Sequence, residues 1–400
     1  MNYYKRTADA LLQDLLDAFG AVLIEGPKWC GKTTTASQLA NSILRMQDPS
    51  MREEYLATAK TKPSILLKGD TPRLIDEWQD APMLWDAVRT TVDDRQIPGQ
   101  FILTGSNAVD KSQIHHSGAG RIARLRMLPM SLWESQESTG EVSLKELFNN
   151  PDYDIDGKMS KMTVEDLIFA ASRGGWPASL LARTPKAQLL VAKNYVQTIC
   201  SDDVSGIDGK KRDAKLTSMI LRAYARNVST LVKKKSLLDD VTSSGEVSCH
   251  VDTFDDYVSA LEKLFVIQNI SAWCPAIRSK TAIRSSVKRC FCDPSIPIAL
   301  LGLSPESLSM QLRTFGFIFE QMCIRDLKAY TIDLNSHVSY YHDRYDLEAD
   351  IVLHLEDGRY ALIECKLGSS EIDEGAKHLL ELKRLIQEHN KTEKQVPIRE

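Results

Sequence analysis

One stretch constrains this chain more than any other: Ala21-Val-Leu-Ile-Glu25, followed without a gap by Gly-Pro-Lys-Trp-Cys-Gly-Lys-Thr-Thr34. The first five residues predict a buried strand. A helical stripe of Leu11, Leu12, Leu15, Leu16 and Phe19 precedes it, and Gly20 breaks the pattern. Gly26, four residues, then Gly31, Lys32 and Thr33 keep the spacing of a phosphate-binding loop, and Ala36, Leu39, Ala40, Ile43 and Leu44 predict a helix after it. In such a loop the backbone N–H groups curl around an anion at the helix N-terminus. Lys32 neutralises the outer phosphates, and the Thr33 hydroxyl ligates Mg2+. Gly26, Pro27, Lys28, Trp29, Cys30, Gly31, Lys32, Thr33 and Thr34 therefore form the candidate cradle for a nucleotide.

Three later runs bear on the same chemistry. Leu74-Ile-Asp-Glu77 ends a short apolar run one βαβ unit further on, which puts Asp76 at a strand tip to hold the Mg2+ water shell and Glu77 beside it to polarise an attacking water. An ordinary acidic strand end has the same composition, and Pro72-Arg73 stands where a longer strand is expected. Phe101 to Asn107 is a third strand ending in small polar residues. Thr104, Ser106 and Asn107 are its candidates for sensing a terminal phosphate, although a turn after a core strand reads the same way. Arg121, Arg124 and Arg126 follow Gly118 and Gly120; Arg121 is the candidate arginine finger, in its own subunit or in a neighbour, against a solvated basic strand as the plain reading.

At 400 residues, with 43% hydrophobic and 26% charged, the chain exceeds the size at which one core keeps growing, so two or three domains are expected. Fifty Lys and Arg against 54 Asp and Glu, a net charge of -4, exclude a globally basic nucleic-acid arm and an acidic tail; a nucleic-acid contact would have to be a local patch. No run reaches the roughly 20 apolar residues of a membrane span, and the first residues lack a signal-peptide core, so a cytoplasmic protein without a membrane partner is expected. Eight scattered cysteines without paired CxxC spacing read as reduced thiols.

GPKWCGKTT, LIDEWQDAP, FILTGSN and AGRIARLRMLPMSLWE, in this order and at these separations, resemble the AAA-type P-loop ATPases of bacteria and archaea that carry a C-terminal domain of uncharacterised function. The resemblance covers the first third of the chain and departs from the family pattern at Leu132-Trp133. It implies an α/β fold, a parallel sheet of the AAA type with helices on both faces, that binds ATP with Mg2+ and hydrolyses it. Lys32, Thr33, Asp76 and Glu77 stand in the matching positions.

Glu137 to Lys161, rich in Ser, Asn, Asp and Gly, reads as a linker. Arg173-Gly-Gly-Trp-Pro177 resembles a turn of the same family. Leu216–Val228, Leu231–Val241 and Thr253–Leu264 predict three helices, and Phe265–Ile267 a strand, which suggests a winged-helix-like module; the helix holding Phe254, Tyr257 and Leu261 is the DNA-reading analogue. Basic clusters flank it: Lys210, Lys211, Arg212 and Lys215; Lys233, Lys234 and Lys235; Arg278, Lys280, Arg284, Lys288 and Arg289. They are the candidate contacts to DNA or RNA, with solvated lysines and a protein-facing module as the competing reading.

Near the end, a helix from Phe315 to Leu327 carries Glu320, and strands Leu347–Leu355 and Tyr360–Lys366 flank a Glu-Asp-Gly-Arg turn. Asp350, then Glu364-x-Lys366 on a hairpin, resembles the restriction-endonuclease-like fold, whose carboxylates bind Mg2+ while the lysine orients water. Asp350 and Glu364 are the candidate second metal ligands, with Glu320 and Lys366 beside them; short matches of this kind arise by chance, and the fold alone does not establish cleavage. The expected organisation is an ATPase domain over 1–135, a linker and helical segment over 136–212, a winged-helix-like module over 213–275 and a small α/β nuclease-like domain over 276–400. The expected function is a Mg2+-dependent ATPase that couples nucleotide state to a C-terminal module on nucleic acid. The alternatives are an ATP-controlled switch acting on a protein partner and an ATP-governed, metal-dependent nuclease.

Overall fold

Five short strands form one parallel sheet: β1 (Ala21–Glu25), β2 (Ser42–Arg45), β3 (Arg73–Asp76), β4 (Phe101–Gly105) and β5 (Ile122–Arg126), in the order β2-β3-β4-β1-β5. The computed structural model describes residues 3–106, 117–243, 245, 247–274, 286–343 and 347–394. Every residue of β1 and β4 is buried, as a parallel sheet covered on both faces requires. The period of two splits β1 cleanly. Ala21 and Leu23 join Trp85 and Val88 of the helix Met83–Arg95 on one face, while Val22 and Ile24 join Leu12 and Leu16 of the helix Ala8–Ala18 and Ala36 on the other.

The helix after the phosphate loop is shorter than its apolar spacing predicts. It runs only from Lys32 to Leu39; Ala40 is extended, and Ile43 and Leu44 belong to β2. Pairing overrides periodicity here. Ile43 and Leu44 lie opposite Leu74 and Ile75 of β3, Leu44 is buried, and the Asn41 N–H donates to the Pro72 carbonyl.

The helices Val164–Arg173, Pro185–Thr198, Ala214–Arg226, Lys234–Thr242, Val251–Lys263 and Ser295–Leu301 share one core that runs from Ile168 to Met322. The expected boundary at 212/213 is therefore no seam: Tyr195, Ile199 and Val204 pack with Ile220 and Tyr224. All three predicted helices of the module are present. The expected strand at Phe265–Ile267 is reduced to single bridges, Ile267 to Phe291 and Ile270 to Lys288.

The last unit is an antiparallel sheet of β6 (Ser336–His342), β7 (Glu348–Leu355) and β8 (Tyr360–Ile363). Ile351 and Leu353 face Ile324 of the helix Leu312–Tyr330; Val352, on the other face, meets Leu382 and Ile386 of the helix Ser369–Lys394. Leu380 of the same helix is exposed. Among the described residues no helix is long and apolar enough to cross a membrane.

Candidate functional site

Parallel pairing in register brings the C-terminal ends of β1, β3 and β4 together, with Asp76 opposite Thr104 and Glu25 opposite Gly105. The phosphate loop leaves from Glu25, so its anion-facing side lies over Asp76 and Glu77. Gly26 has φ +154°, and a Cβ there would sit 2.3 Å from the Met127 carbonyl oxygen, a contact only glycine avoids. Gly31, at φ +102°, caps the helix that starts at Lys32. Within the loop, Lys32 is buried and its Nζ donates to the Gly26 and Pro27 carbonyls at 3.0 and 2.9 Å. The Thr33 hydroxyl donates to Asp76 Oδ1 at 2.6 Å, and Thr104 donates to the same oxygen at 2.7 Å.

Glu77 is held in a left-handed backbone conformation, φ +56°, uncommon for a residue with a Cβ. Its N–H donates to Thr104 Oγ1 at 3.3 Å, the Ser106 hydroxyl donates to its Oε1 at 3.2 Å, and the Gln79 amide donates to its Oε2. The carboxylate therefore has a fixed direction. A cavity of about 1090 Å³ opens there. Lys28, Trp29, Lys32, Thr33, Thr34, Glu77 and Ser106 line one wall; Pro177, Leu181, Leu190, Val191, Asn194 and Ile207 of the helical unit line the other.

The expected residues divide accordingly. Lys32, Thr33, Asp76, Glu77 and Ser106 converge; Thr104 is fully buried behind Asp76, and Asn107 lies outside the described residues. Arg121 is not in this site. It precedes β5 at the opposite end of the sheet, level with Gly20, and pairs with Asp93 at 2.8 Å. Five strand residues separate those ends, roughly 17 Å, so Arg121 does not serve the nucleotide of its own chain. Arg124 and Arg126 pair instead with the buried Glu25 at 3.4 and 3.5 Å.

Three contacts around the loop escaped sequence reasoning. The Arg6 guanidinium donates to the carbonyls of Cys30 and Leu128, both at 2.7 Å, and to Glu134 at 3.0 Å, all buried. Burial alone would raise the Glu134 pKa, but the Arg6 charge with hydrogen bonds from Ser131 and Thr7 outweighs it and holds the carboxyl below its ordinary value. Lys28 pairs with Asp203 at 2.5 Å, on the turn of π-helix Ile199–Asp203 that continues the helix from Pro185. Gly175 lies so close to Met130 that a Cβ would sit 2.1 Å from its carbonyl oxygen, and the Met130 N–H donates to Gly175 at 2.6 Å. The second glycine of Arg173-Gly-Gly-Trp-Pro177 is thus what lets the helical unit dock on the chain leaving β5. Only that Gly-Gly pair was visible as a signal.

A second cluster forms where the last sheet meets the helix Leu312–Tyr330. As expected, Glu320, Asp350, Glu364 and Lys366 come together: Lys366 Nζ lies 2.6 Å from Glu364 and 3.7 Å from Asp350, and the Cys365 N–H donates to Asp350 at 2.9 Å. One neighbour was not expected. Lys288 enters this cluster buried, 2.5 Å from Glu320, 4.0 Å from Asp350 Oδ1 and 2.9 Å from the Asp350 carbonyl. Burial pulls the Lys288 pKa down, but Glu320 and Asp350 more than restore it and the ammonium stays charged. Burial likewise lowers Lys366, yet the hydrogen bond to Glu364 and the Asp350 charge raise it to about 12.

Lys288 belongs to the expected basic clusters but is no surface residue, and the same correction applies to Arg212 and Arg289. Arg289 is buried with Val232 and Tyr224 as partners, and Arg212 is buried against Asp208 and Asp256. Lys210 pairs with Asp256, and Lys234 with Asp255. Lys211, Lys233 and Lys235 are exposed. Arg278, Lys280 and Arg284 lie outside the described residues. The helix Val251–Lys263 buries Phe254, Tyr257 and Leu261, the side expected to read DNA, and turns Asp252 and Asp255 outward.

The parallel sheet, the loop and the acidic strand tip make up a P-loop nucleotide-binding fold. Residues 18–136 match the AAA domain family, 164–307 match a domain of unknown function (DUF8612), and 315–399 match a second domain of unknown function (DUF4143). The chain thus carries an AAA domain in its first third and a domain of unknown function at its C-terminal end. It is similar to an uncharacterized protein of Mycobacterium tuberculosis, Rv2008c, and to Mb2031c of Mycobacterium bovis. Each is 24% identical over 366 residues, which are 89% of this chain and 72% of the relative. Among solved structures, the Walker-type ATPase PABY2304 of Pyrococcus abyssi is 12% identical with a TM-score of 0.43, over 75% of this chain and 96% of that one.

Proposed function

We propose that this ATPase is Mg2+-dependent and works as a switch, passing its nucleotide state through the helical unit to a C-terminal half that engages a protein partner. One observation carries this reading: the cavity over the phosphate loop has its second wall in the helical unit, so a nucleotide filling it would touch both. Lys32 leaves the two loop carbonyls for the outer phosphates of ATP, an exchange of neutral acceptors for charged ones. Glu77, aimed by Ser106 and Gln79, takes the proton of the water that attacks the terminal phosphorus, giving ADP and phosphate. Thr33 and Asp76 are hard oxygen donors that already meet, a set that suits a Mg2+ ion keeping its remaining contacts to water and phosphate. That ion, when bound, offsets the charge that develops on the phosphate oxygens. In this reading Ser106, which lines the cavity and donates to Glu77, senses the terminal phosphate.

The switch reading is preferred to a nucleic-acid motor because Arg212, Lys288 and Arg289 are buried on partners inside the chain and Lys210 and Lys234 each have an acidic neighbour at the surface. ATP turnover measured for wild type and Lys32→Ala, each with and without single- and double-stranded DNA and RNA, tests both parts. Wild type should turn over ATP, the variant should not, and nucleic acid should leave the rate unchanged. Equal turnover in the two proteins would overturn the active-site assignment; stimulation by DNA or RNA would overturn the choice of a protein partner.

A further inference from the structure

Three acids gathered around one point ask for a cation, and the C-terminal cluster gathers Glu320, Asp350 and Glu364. Glu364 keeps one buried oxygen, Oε1, without a hydrogen-bond partner, as a waiting ligand would. Yet two ammonium groups already stand among these acids. Lys366 lies on Glu364, and Lys288 lies on Glu320 and within 4.0 Å of Asp350. Two ammonium groups set on these acids, with burial pushing the Glu320 carboxyl up to about 7 and raising Glu364 as well, leave little negative charge for a divalent ion, which would meet ammonium repulsion at a few ångströms in a buried place. Among the described residues no group of three or more acid, histidine or cysteine side chains is arranged to hold a metal ion. The residues as folded do not fit a divalent metal.

We propose that Lys288 is a built-in counter-cation that occupies the place of a divalent metal and keeps this site metal-free in the folded chain. Three observations hold the ammonium there. Its backbone is fixed by paired hydrogen bonds with Ile270 on one side, and Arg289 beside it donates to Val232 and Tyr224. Its Nζ uses a carboxylate and a carbonyl as acceptors, so it is anchored in direction as well as in charge. Five residues further on, Asp293 accepts the Gly175 N–H at 2.9 Å and pairs with the buried Arg325 at 2.9 Å, which ties the same segment to the turn that carries Pro177 into the nucleotide cavity. The lysine that closes the site therefore belongs to the segment joined to the ATPase side of the molecule.

The test is Mn2+ binding by the full chain without nucleotide, followed by electron paramagnetic resonance of the free ion, in an Asp76→Asn background that removes the metal site proposed at the phosphate loop. The parent protein should bind no Mn2+ at the C-terminal cluster, and Lys288→Ala should gain one site, tighter by roughly 100-fold. Adding Asp350→Asn should abolish the gained site. Lys288→Gln keeps a hydrogen-bond donor toward Glu320 and serves if the alanine variant fails to fold, folding being checked by circular dichroism. Mn2+ bound by the parent at a site that Asp350→Asn removes would overturn the proposal, and so would folded Lys288 variants that gain nothing. Neither outcome touches the ATPase reading, which rests on the other site.

Discussion

The two acid-rich sites of this chain are built from similar parts and differ in what their lysines rest on. In the nucleotide site Lys32 lies on two backbone carbonyls, and among the described residues the Asp76 and Glu77 carboxylates accept from hydroxyl and side-chain amide donors beside an open cavity of about 1090 Å³. In the C-terminal site Lys288 and Lys366 lie on the carboxylates themselves. A hydrogen bond to a neutral carbonyl nets about 1 kcal/mol and is readily exchanged for a phosphate. Breaking a buried ion pair from one side costs about 3–5 kcal/mol. The first site is thus poised to take a ligand, and the second is already satisfied.

The sharpest way to break this comparison is through Glu77. If it is the base that the open site leaves available, Glu77→Gln should retain ATP binding and lose turnover by about 10²–10⁴-fold. Steady-state phosphate release beside a nucleotide-binding titration reads both quantities. Unchanged turnover would leave the nucleotide site without its base.

Stability gives the next largest contrast. Glu320→Ala strands the buried Lys288 and should lower unfolding stability by about 3–5 kcal/mol, whereas Lys32→Ala, which costs only bonds to carbonyls, should lower it by about 1 kcal/mol. Urea denaturation midpoints of the two variants against wild type make the comparison. Equal losses would mean that the C-terminal lysine is no more committed to its acids than Lys32 is to its loop.

What could be read from the sequence follows the same division. The nucleotide site sits on a buried strand and its loop, where local spacing dictates geometry, so the convergence of Thr33 and Asp76 follows from the loop motif and the strand register. Glu320, Asp350, Glu364 and Lys366 were also legible, because a helix and a hairpin fix them locally. Lys288 was not, since its burial depends on a bridge to Ile270 and on a helix 32 residues away in sequence; a lysine in a basic run looks solvated until tertiary pairing is known. The same holds for Arg212 and Arg289. Ile43 and Leu44 misled for a related reason: their helical spacing was real, but the open edge of β3 claimed them for a strand. Arg6 gave no signal, because its partner Glu134 lies 128 residues on.

Glu134 supplies the smallest and most discriminating test, since it is buried like the C-terminal acids but serves the open site, bracing Arg6 behind the phosphate loop. Its pKa in the fold lies below the ordinary carboxylate value of about 4.3. The sign follows directly: the folded state holds this proton less tightly than the unfolded chain, so the contribution to stability is complete above about pH 4.3 and is lost as pH falls through the depressed folded value. The loss cannot exceed about 1.4 kcal/mol per pH unit for one proton. Urea midpoints of wild type should therefore fall between pH 5 and pH 3 by more than those of Glu134→Gln, which starts lower at neutral pH because Arg6 has lost its charged partner but has no such proton to gain. Parallel curves for the two proteins would mean that the Arg6 and Glu134 pair does not brace the loop through charge, and the contrast between an open, cation-ready site and a self-paired one would then rest on the C-terminal cluster alone.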